Sequence, residues 1–264
     1  MKKPKGARQW ARRRGLYSWK VEKSLNVDLE NDAALVYEKL CTFEEITLVD
    51  RTVWAQFLMS QTVRTPTFIR YEDGIRDALR IEEEPPHDRV GCKECMDLAC
   101  VTSRDWRYLI AHEGDHFVRS DNPVLLTGFI ERAQTCLFYP LTPTLCFVAC
   151  SMLDGWAPMH PTESNLRQMK GWPLEKGGAH MINFHLARAA DQSLMLSPKF
   201  DGQVAEAMFG DVLGKYPQPP FSLHHIADPN DIDKAYESIR RIMSFVDERP
   251  YPHWRPFELE PFIP

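Results

Sequence analysis

The first part of the chain carries two stretches in which apolar residues recur at helical spacing. One covers residues 31–41, and the other begins near Thr47. Recurrence every three or four residues places apolar side chains on one face of a helix. The pattern therefore predicts two helices that pack on the rest of the domain. Their apolar positions are Leu35, Val36 and Leu40 in the first, and Val53, Trp54, Phe57 and Leu58 in the second.

The middle of the chain changes to patterns that are typical of strands. Trp106, Tyr108 and Ile110 alternate with polar residues, which predicts a half-buried strand. Residues 137–139 and 145–150 predict two more, and the apolar run of the second indicates a strand covered on both faces. We expect the turn between them at the sequence Pro140-Leu141-Thr142-Pro143.

Residues 179–190 return to helical spacing, and residues 194–196 predict a closing strand. Helices before and after a small, mostly antiparallel sheet predict the α+β fold class. The sequence divides into a basic arm at 1–24, the α+β domain at 25–215 and a Pro-rich C-terminal extension at 216–264.

The C-terminal extension holds 9 of the 20 prolines. Within it, Asp228 can cap a helix that begins at Pro229 and docks on the body. Residues 249–264 combine prolines with aromatic residues, a composition suited to an extended strap or to binding a protein partner.

Composition excludes a disordered, collagen-like or coiled-coil chain, because 44% of residues are hydrophobic and 26% are charged. Seven cysteines are an odd set and do not suggest a disulfide scaffold. The basic start has no apolar stretch like that of a secretory signal. The longest apolar stretch, residues 136–153, is interrupted by two prolines. We therefore expect a cytoplasmic protein without a membrane span.

Charge is distributed unevenly. Residues 1–24 contain nine Lys or Arg against one Glu, a net charge of +8, and the total of −5 then leaves −13 for the other 240 residues. Trp10, Tyr17 and Trp19 lie among the basic residues. Such an arm can follow a phosphate backbone and stack on bases, which makes nucleic acid a candidate partner. The alternative is that the arm binds the acidic body of the protein itself.

Two segments carry potential metal ligands. The run from His112 to His116 matches the string of zinc proteases, which requires both histidines on one helix. Here it follows a predicted strand and contains Gly114-Asp115, so we predict a hairpin turn without metal. A separate set could bind zinc through a Cys-x-x-Cys pair, and the sequence leaves this open. Its members are His87, Cys92, Cys95 and Cys100.

The most informative feature is a stripe on the second helix, formed by Phe57, Gln61, Arg64 and Phe68. It places a guanidinium and an amide on an apolar face, where each needs a partner. We expect Pro66 to kink this helix and to release the carbonyl of Thr62.

Downstream, Ser120-Asp121-Asn122-Pro123 ends a predicted strand with three polar side chains. An Arg64–Asp121 pair is the expected partnership. Two interpretations remain open: a functional pocket, or a buried ion pair that only fixes the helix on the sheet.

At these residues the chain resembles a known family, the domain of unknown function 4238 of bacteria and fungi. The resemblance covers about residues 30–200. Members commonly begin with a His-x-x-Pro segment, where this chain has its basic arm. The family implies no reaction and no cofactor; it implies only that Gln61, Arg64, Ser120, Asp121, Asn122 and Asn183 belong together. The motifs that carry the resemblance are Phe57-x-x-x-Gln61-x-x-Arg64-Thr65-Pro66-x-Phe68, Phe117-Val118-x-Ser120-Asp121-Asn122-Pro123-Val124, Pro140-Leu141-Thr142-Pro143, and Asn183 followed by Ala189-Ala190.

Function is predicted from this set. Arg64 would grip a phosphate or carboxylate through two hydrogen bonds, and Asp121 would hold Arg64 or act as general base. Ligand-binding roles fall to the amides and the hydroxyl, namely Gln61, Ser120, Asn122 and Asn183. The leading hypothesis is an enzyme that acts on a phosphate-bearing ligand such as a nucleotide or RNA. The alternative is a non-catalytic module that binds nucleic acid or protein.

Overall fold

The computed structural model describes residues 29–65, 95–128, 130, 135–150, 168–200 and 202–215. Helices are α1 Glu30–Thr42, α2 Leu48–Val63, α3 Cys95–Thr102, α4 Gly178–Ala189 and α5 Gly202–Phe209. Strands are β1 Asp105–Ile110, β2 Arg119–Ser120, β3 Leu125–Leu126, β4 Leu137–Thr142, β5 Leu145–Cys150, β6 Lys170–Pro173 and β7 Leu194–Met195. The arm 1–24, the extension 216–264 with its predicted helix, and Pro66, Phe68, His87 and Cys92 lie outside the described residues.

Five strands form one sheet in the order β3-β4-β5-β1-β6. All neighbours in it are antiparallel except β1 and β6, which are parallel. A second, two-stranded sheet pairs β2 with β7. The predicted α+β class with a mostly antiparallel sheet is confirmed for the described part of the chain.

The helices cover both faces of the five-stranded sheet. On one face, α1, α2 and α3 pack their buried side chains, among them Leu40 and Trp54, against Phe147 of β5. On the other face, Leu186 of α4 packs with Val148 of the same strand. Strand β5 is therefore buried on both faces, as its apolar run predicted.

The turn between β4 and β5 lies later than predicted. Pro140 and Thr142 belong to β4, and the turn is formed by Pro143 and Thr144. The β4–β5 register is irregular between Pro140 and Thr142. A proline lacks the N–H that a regular ladder needs, and it is tolerated where pairing is irregular, so the sequence Pro-Leu-Thr-Pro did not end the strand.

The start of α2 follows from its first residues. Thr47 is the N-cap, its hydroxyl accepts a hydrogen bond from the N–H of Asp50, and the carboxylate of Asp50 accepts one from the N–H of Thr47. This reciprocal pair satisfies two N–H groups that have no partner inside the helix. Lys39 of α1 contacts the same carboxylate at 2.8 Å, which joins the two helices.

The predicted hairpin at 112–116 is wrong in part. A turn is present, closed by the hydrogen bond from Asp115 N to the carbonyl of His112, and Gly114 takes a φ of 86°. However, the segment joins β1 to β2, which lie in different sheets and do not pair. The carboxylate of Asp115 accepts from the N–H of Gly177 instead, which ties the turn to the start of α4.

Within the described part of the chain, no helix is both long enough and apolar enough to cross a membrane.

Candidate functional site

The C-terminal end of α2 carries Gln61 and Arg64. The helix ends at Val63, with Arg64 as its C-cap, before the position of the predicted kink at Pro66. The carbonyl of Thr62, which we expected a kink to release, accepts a hydrogen bond from the hydroxyl of Thr65 at 3.0 Å. A residue before proline avoids helical geometry, and this explains why the helix ends rather than continuing through a kink.

Arg64 pairs with Glu30 of α1 at 2.7 Å. The side chain of Arg64 is 20% exposed and that of Glu30 is 40% exposed. A pair open to water in this way contributes about 0.2–1 kcal/mol. The predicted Arg64–Asp121 pair is wrong, because the carboxylate of Asp121 is bonded elsewhere.

Asp121 holds the turn that follows α4. Its Oδ1 accepts a hydrogen bond from the N–H of Asp191 at 2.7 Å. Its Oδ2 accepts from the N–H groups of Gln192 at 2.8 Å and Ser193 at 3.0 Å, and from the hydroxyl of Ser193. Both carboxylate oxygens are thus occupied by donors of one short segment. Such bonds to a charged acceptor are stronger than those between neutral groups.

Asn183 is fully buried on α4 and binds the chain just before β2. Its Oδ1 accepts from the N–H of Val118 at 2.9 Å, and its Nδ2 donates to the carbonyl of His116 at 2.7 Å. The amide therefore satisfies one N–H and one carbonyl group of this segment.

Ser120 and Asn122 stabilise the same junction. The hydroxyl of Ser120 donates to the carbonyl of Asn122, and the amide of Asn122 donates to the carbonyl of Ala189 at the end of α4. Both residues are buried. The structure thus gathers Ser120, Asp121, Asn122 and Asn183 at the junction of β2 with α4 and its C-terminal turn, whereas Arg64 pairs with α1. Their roles toward a ligand remain predictions.

Sequence analysis missed Arg119. Its Nε donates to the carbonyl of Pro140 at 2.8 Å, and its Nη2 donates to the carbonyl of Leu141 at 2.7 Å. The guanidinium lies over two rings, at 5.9 Å from the centroid of Tyr37 and 5.3 Å from that of Tyr139. The signal available in the sequence was the position of Arg119 next to Ser120 in a predicted strand. Neighbouring side chains of a strand point to opposite faces, so Arg119 faces away from the side on which Ser120 lies.

Arg119 differs from the other arginines that bind main-chain carbonyls. Arg51 donates to Thr102 and Arg104, and Arg104 itself donates to Ile130 and Thr135, but both arginines are buried. Arg119 is partly exposed. Within the described residues, no carboxylate pairs with it.

The positive charge of Arg119 affects the pKa values of the two tyrosines beside it. Burial, and after it a hydrogen bond with Cys41, raises the pKa of Tyr37, while the charge of Arg119 opposes the rise. Burial likewise raises the pKa of Tyr139 against the same opposing charge. Both phenols therefore remain neutral at neutral pH, and the charge of Arg119 stays without an internal counter-ion in the described structure.

Two further aromatic side chains pack beside the two tyrosines. Trp54 lies 6.4 Å from Tyr37 and 5.6 Å from Tyr139, measured between ring centroids, and Phe57 stacks on Trp54 at 5.0 Å. The indole N–H of Trp54 is buried and has no hydrogen-bond partner among the described residues. We call Arg119, Tyr37, Tyr139, Trp54 and Phe57 the Arg119 cluster.

The zinc alternative stays a prediction. Cys100 is buried in the core, and His87 and Cys92 lie outside the described residues. Among the residues that the structure does describe, no three His, Cys, Asp or Glu side chains group closely enough to hold a metal ion.

Comparison with protein families finds one match, to the family described as Protein of unknown function (DUF4238), over residues 4–89. The comparisons with curated proteins and with solved structures found no match. The matched region includes Gln61 and Arg64 and most of the basic arm, and it begins earlier and ends earlier than the limits we expected. The motifs at Ser120, Pro140 and Asn183 lie outside it. Over residues 4–89, about a third of its length, the chain resembles the DUF4238 family of unknown function.

Proposed function

We propose that the protein binds a phosphate-bearing ligand, such as a nucleotide or RNA, at the Arg119 cluster. One observation carries the proposal: Arg119 is a partly exposed residue whose guanidinium faces two tyrosine rings without a carboxylate partner in the described structure. The two other arginines that bind main-chain carbonyls in the described part of the chain, Arg51 and Arg104, are buried, whereas Arg119 is partly exposed.

The donors fit a phosphate. Nε and Nη2 of Arg119 are used by carbonyls, which holds the guanidinium plane in place. The guanidinium also donates a hydrogen bond to the phenol oxygen of Tyr37. A guanidinium has five N–H groups, and those that remain would donate to a phosphate oxygen. An arginine fixed in this way loses little conformational entropy when it binds an anion.

The rings fit the rest of a nucleotide. Tyr37, whose ring the guanidinium overlies, is partly exposed, and so is Phe57, whose ring centroid lies 6.0 Å from that of Tyr139. Aromatic faces stack on bases without regard to sequence, and each stacked base contributes about 1–3 kcal/mol. A ligand with both a phosphate and a planar ring therefore matches the cluster better than inorganic phosphate does.

Binding without catalysis fits the geometry better than the enzyme hypothesis does. The predicted general base, Asp121, accepts four hydrogen bonds from residues 191–193, and taking up a proton would weaken them. The predicted clamp, Arg64, is bonded to Glu30. The enzyme hypothesis, with Arg64 and Asp121 as catalytic residues, stays a second candidate that turnover assays can support.

Partners and location are part of the same proposal. A cytoplasmic protein would meet nucleotides and RNA, and the basic arm 1–24 would add phosphate contacts to an RNA. Residues 249–264 would then be available to a protein partner.

Calorimetric titration tests the proposal, with ATP, inorganic pyrophosphate and a short single-stranded RNA as probes. Arg119→Lys keeps the charge but loses the planar arrangement of donors. Because a hydrogen bond to a charged group contributes about 1.5–3 kcal/mol, we expect the variant to bind roughly 10–100-fold more weakly.

Arg107→Lys is the matched control. Arg107 also lies over an aromatic ring, at 4.3 Å from Trp172, but it is paired with Asp105 at 2.7 Å. This variant should bind as the parent protein does. Equal affinity of the parent and Arg119→Lys, or loss of binding in Arg107→Lys as well, would contradict the proposal.

A further inference from the structure

Two cysteines lie opposite each other on neighbouring strands. The register of β4 and β5 places Leu137 opposite Ala149. Because the strands are antiparallel, one further step brings Cys136 opposite Cys150. Both side chains pack against the core on the α4 side of the sheet, so they lie on the same face.

The expected separation suits a covalent bond. Directly opposite residues of antiparallel strands have Cα atoms about 4.5 or 5.5 Å apart, depending on the type of pair. Disulfides span Cα distances of roughly 4.4–6.8 Å, so both types of pair fall within the range. Cys136 and Cys150 are thiols in the structure and are both partly exposed, which gives a small oxidant access to them.

We propose that Cys136 and Cys150 form a redox-active dithiol, which a low-molecular-weight disulfide such as glutathione disulfide converts to a cross-strand disulfide. In the first step, one thiolate attacks the oxidant, and a mixed disulfide forms as one glutathione thiolate leaves. In the second step, the other thiolate attacks the mixed disulfide at the protein sulfur and releases the second glutathione. Two electrons and two protons pass from the protein, and one glutathione disulfide becomes two glutathione thiols.

The surroundings of the pair control its rate. The pKa of Cys150 is raised to about 12, mainly by burial and then by the neighbouring Cys136 and Asp105, against the opposing charges of Arg107 and Arg104. Little thiolate of Cys150 is present at neutral pH, so oxidation should become faster as the pH rises.

This site is independent of the proposed ligand. Cys136 and Cys150 pack on the α4 side of the sheet, whereas Tyr139 and Trp54 of the Arg119 cluster belong to the core on the other side. Failure of either proposal therefore leaves the other intact.

The test is incubation of the full chain with glutathione disulfide, followed by digestion without reductant and mass spectrometry. We expect one dominant cross-linked pair of peptides, joined through Cys136 and Cys150 and lighter than their sum by two hydrogen atoms. In Cys136→Ser, the thiol of Cys150 lacks its partner, so a stable glutathione adduct should accumulate there. Cys41→Ser is the matched control, since Cys41 lies on α1, and it should form the same cross-link as the parent.

Three results would overturn the proposal. The first is a dominant cross-link between other cysteines of the folded chain. The second is stable glutathione adducts on Cys136 and Cys150 together. The third is no change at either residue under conditions that modify Cys41. The same reaction with the chain unfolded in denaturant shows which cross-links form without the fold. The preference for the Cys136–Cys150 cross-link should be absent under those conditions.

Discussion

Replacing Asp121 with asparagine should lower stability without weakening ligand binding. The carboxylate accepts four hydrogen bonds from residues 191–193, and three of the donors are main-chain N–H groups. Asparagine can keep its oxygen toward Gln192 and Ser193, but its NH₂ group then faces the N–H of Asp191. One acceptor is lost, and two donors are left facing each other.

The magnitude follows from these contacts. An N–H group left without a partner costs about 1–3 kcal/mol, and the remaining bonds lose the contribution of a charged acceptor. Because Asp121 is half-buried and water reaches Gln192, we expect a total of about 2–3 kcal/mol. For a domain of this size, that lowers the melting temperature by roughly 5–10 °C.

The assay combines thermal unfolding with titration of the ligand at a temperature where the variant is folded. Asp211→Asn is the matched control, since Asp211 is exposed, and its melting temperature should stay close to that of the parent. A normal melting temperature in Asp121→Asn together with lost binding or turnover would refute the reasoning, and it would favour the predicted catalytic role of this carboxylate.

Two further predictions concern pH. Burial tends to raise the pKa of Asp50, but hydrogen bonds from Lys39 and Thr47 outweigh it and lower the pKa below its ordinary value. Because the pKa is lowered on folding, the carboxylate stabilises the folded state above the unfolded pKa of about 4, and this stabilisation is lost as the pH falls through the folded pKa. The stability of Asp50→Asn should therefore depend less on pH in the acid range than that of the parent. Equal pH dependence of the two proteins would contradict this prediction. Burial, and then the charge of Arg188, lowers the pKa of His185. The unfolded chain therefore binds more protons than the folded chain, and stability should fall as the pH drops below about 6.5. In thermal melts at a series of pH values, His185→Gln should show a smaller fall in melting temperature than the parent. The same fall in both proteins would count against this prediction.

The elements were predictable where a local rule decides them. The second helix was predicted to begin near Thr47, which is its N-cap, and the unbroken apolar run at residues 145–150 is a strand buried on both faces. Pro140 shows the limit of such rules. It was assigned to a turn, but the irregular register of β4 accommodates it within the strand.

The candidate site was harder to predict because it depends on pairing between distant segments. Gln61 and Arg64 have the spacing of a helix face, but nothing in the sequence shows that Glu30, rather than Asp121, pairs with Arg64. Arg119 had no motif, since its carbonyl partners are main-chain atoms that every residue possesses. Its importance follows only from the aromatic rings and carbonyls that the fold brings to it.

A crystal structure of the protein with a bound nucleotide tests the central claim most directly. The account predicts a phosphate oxygen within about 2.7–2.9 Å of a guanidinium nitrogen of Arg119, with the base against Tyr37 or Phe57. A nucleotide bound instead beside Asp121 and Asn183, with no phosphate oxygen near Arg119, would contradict it.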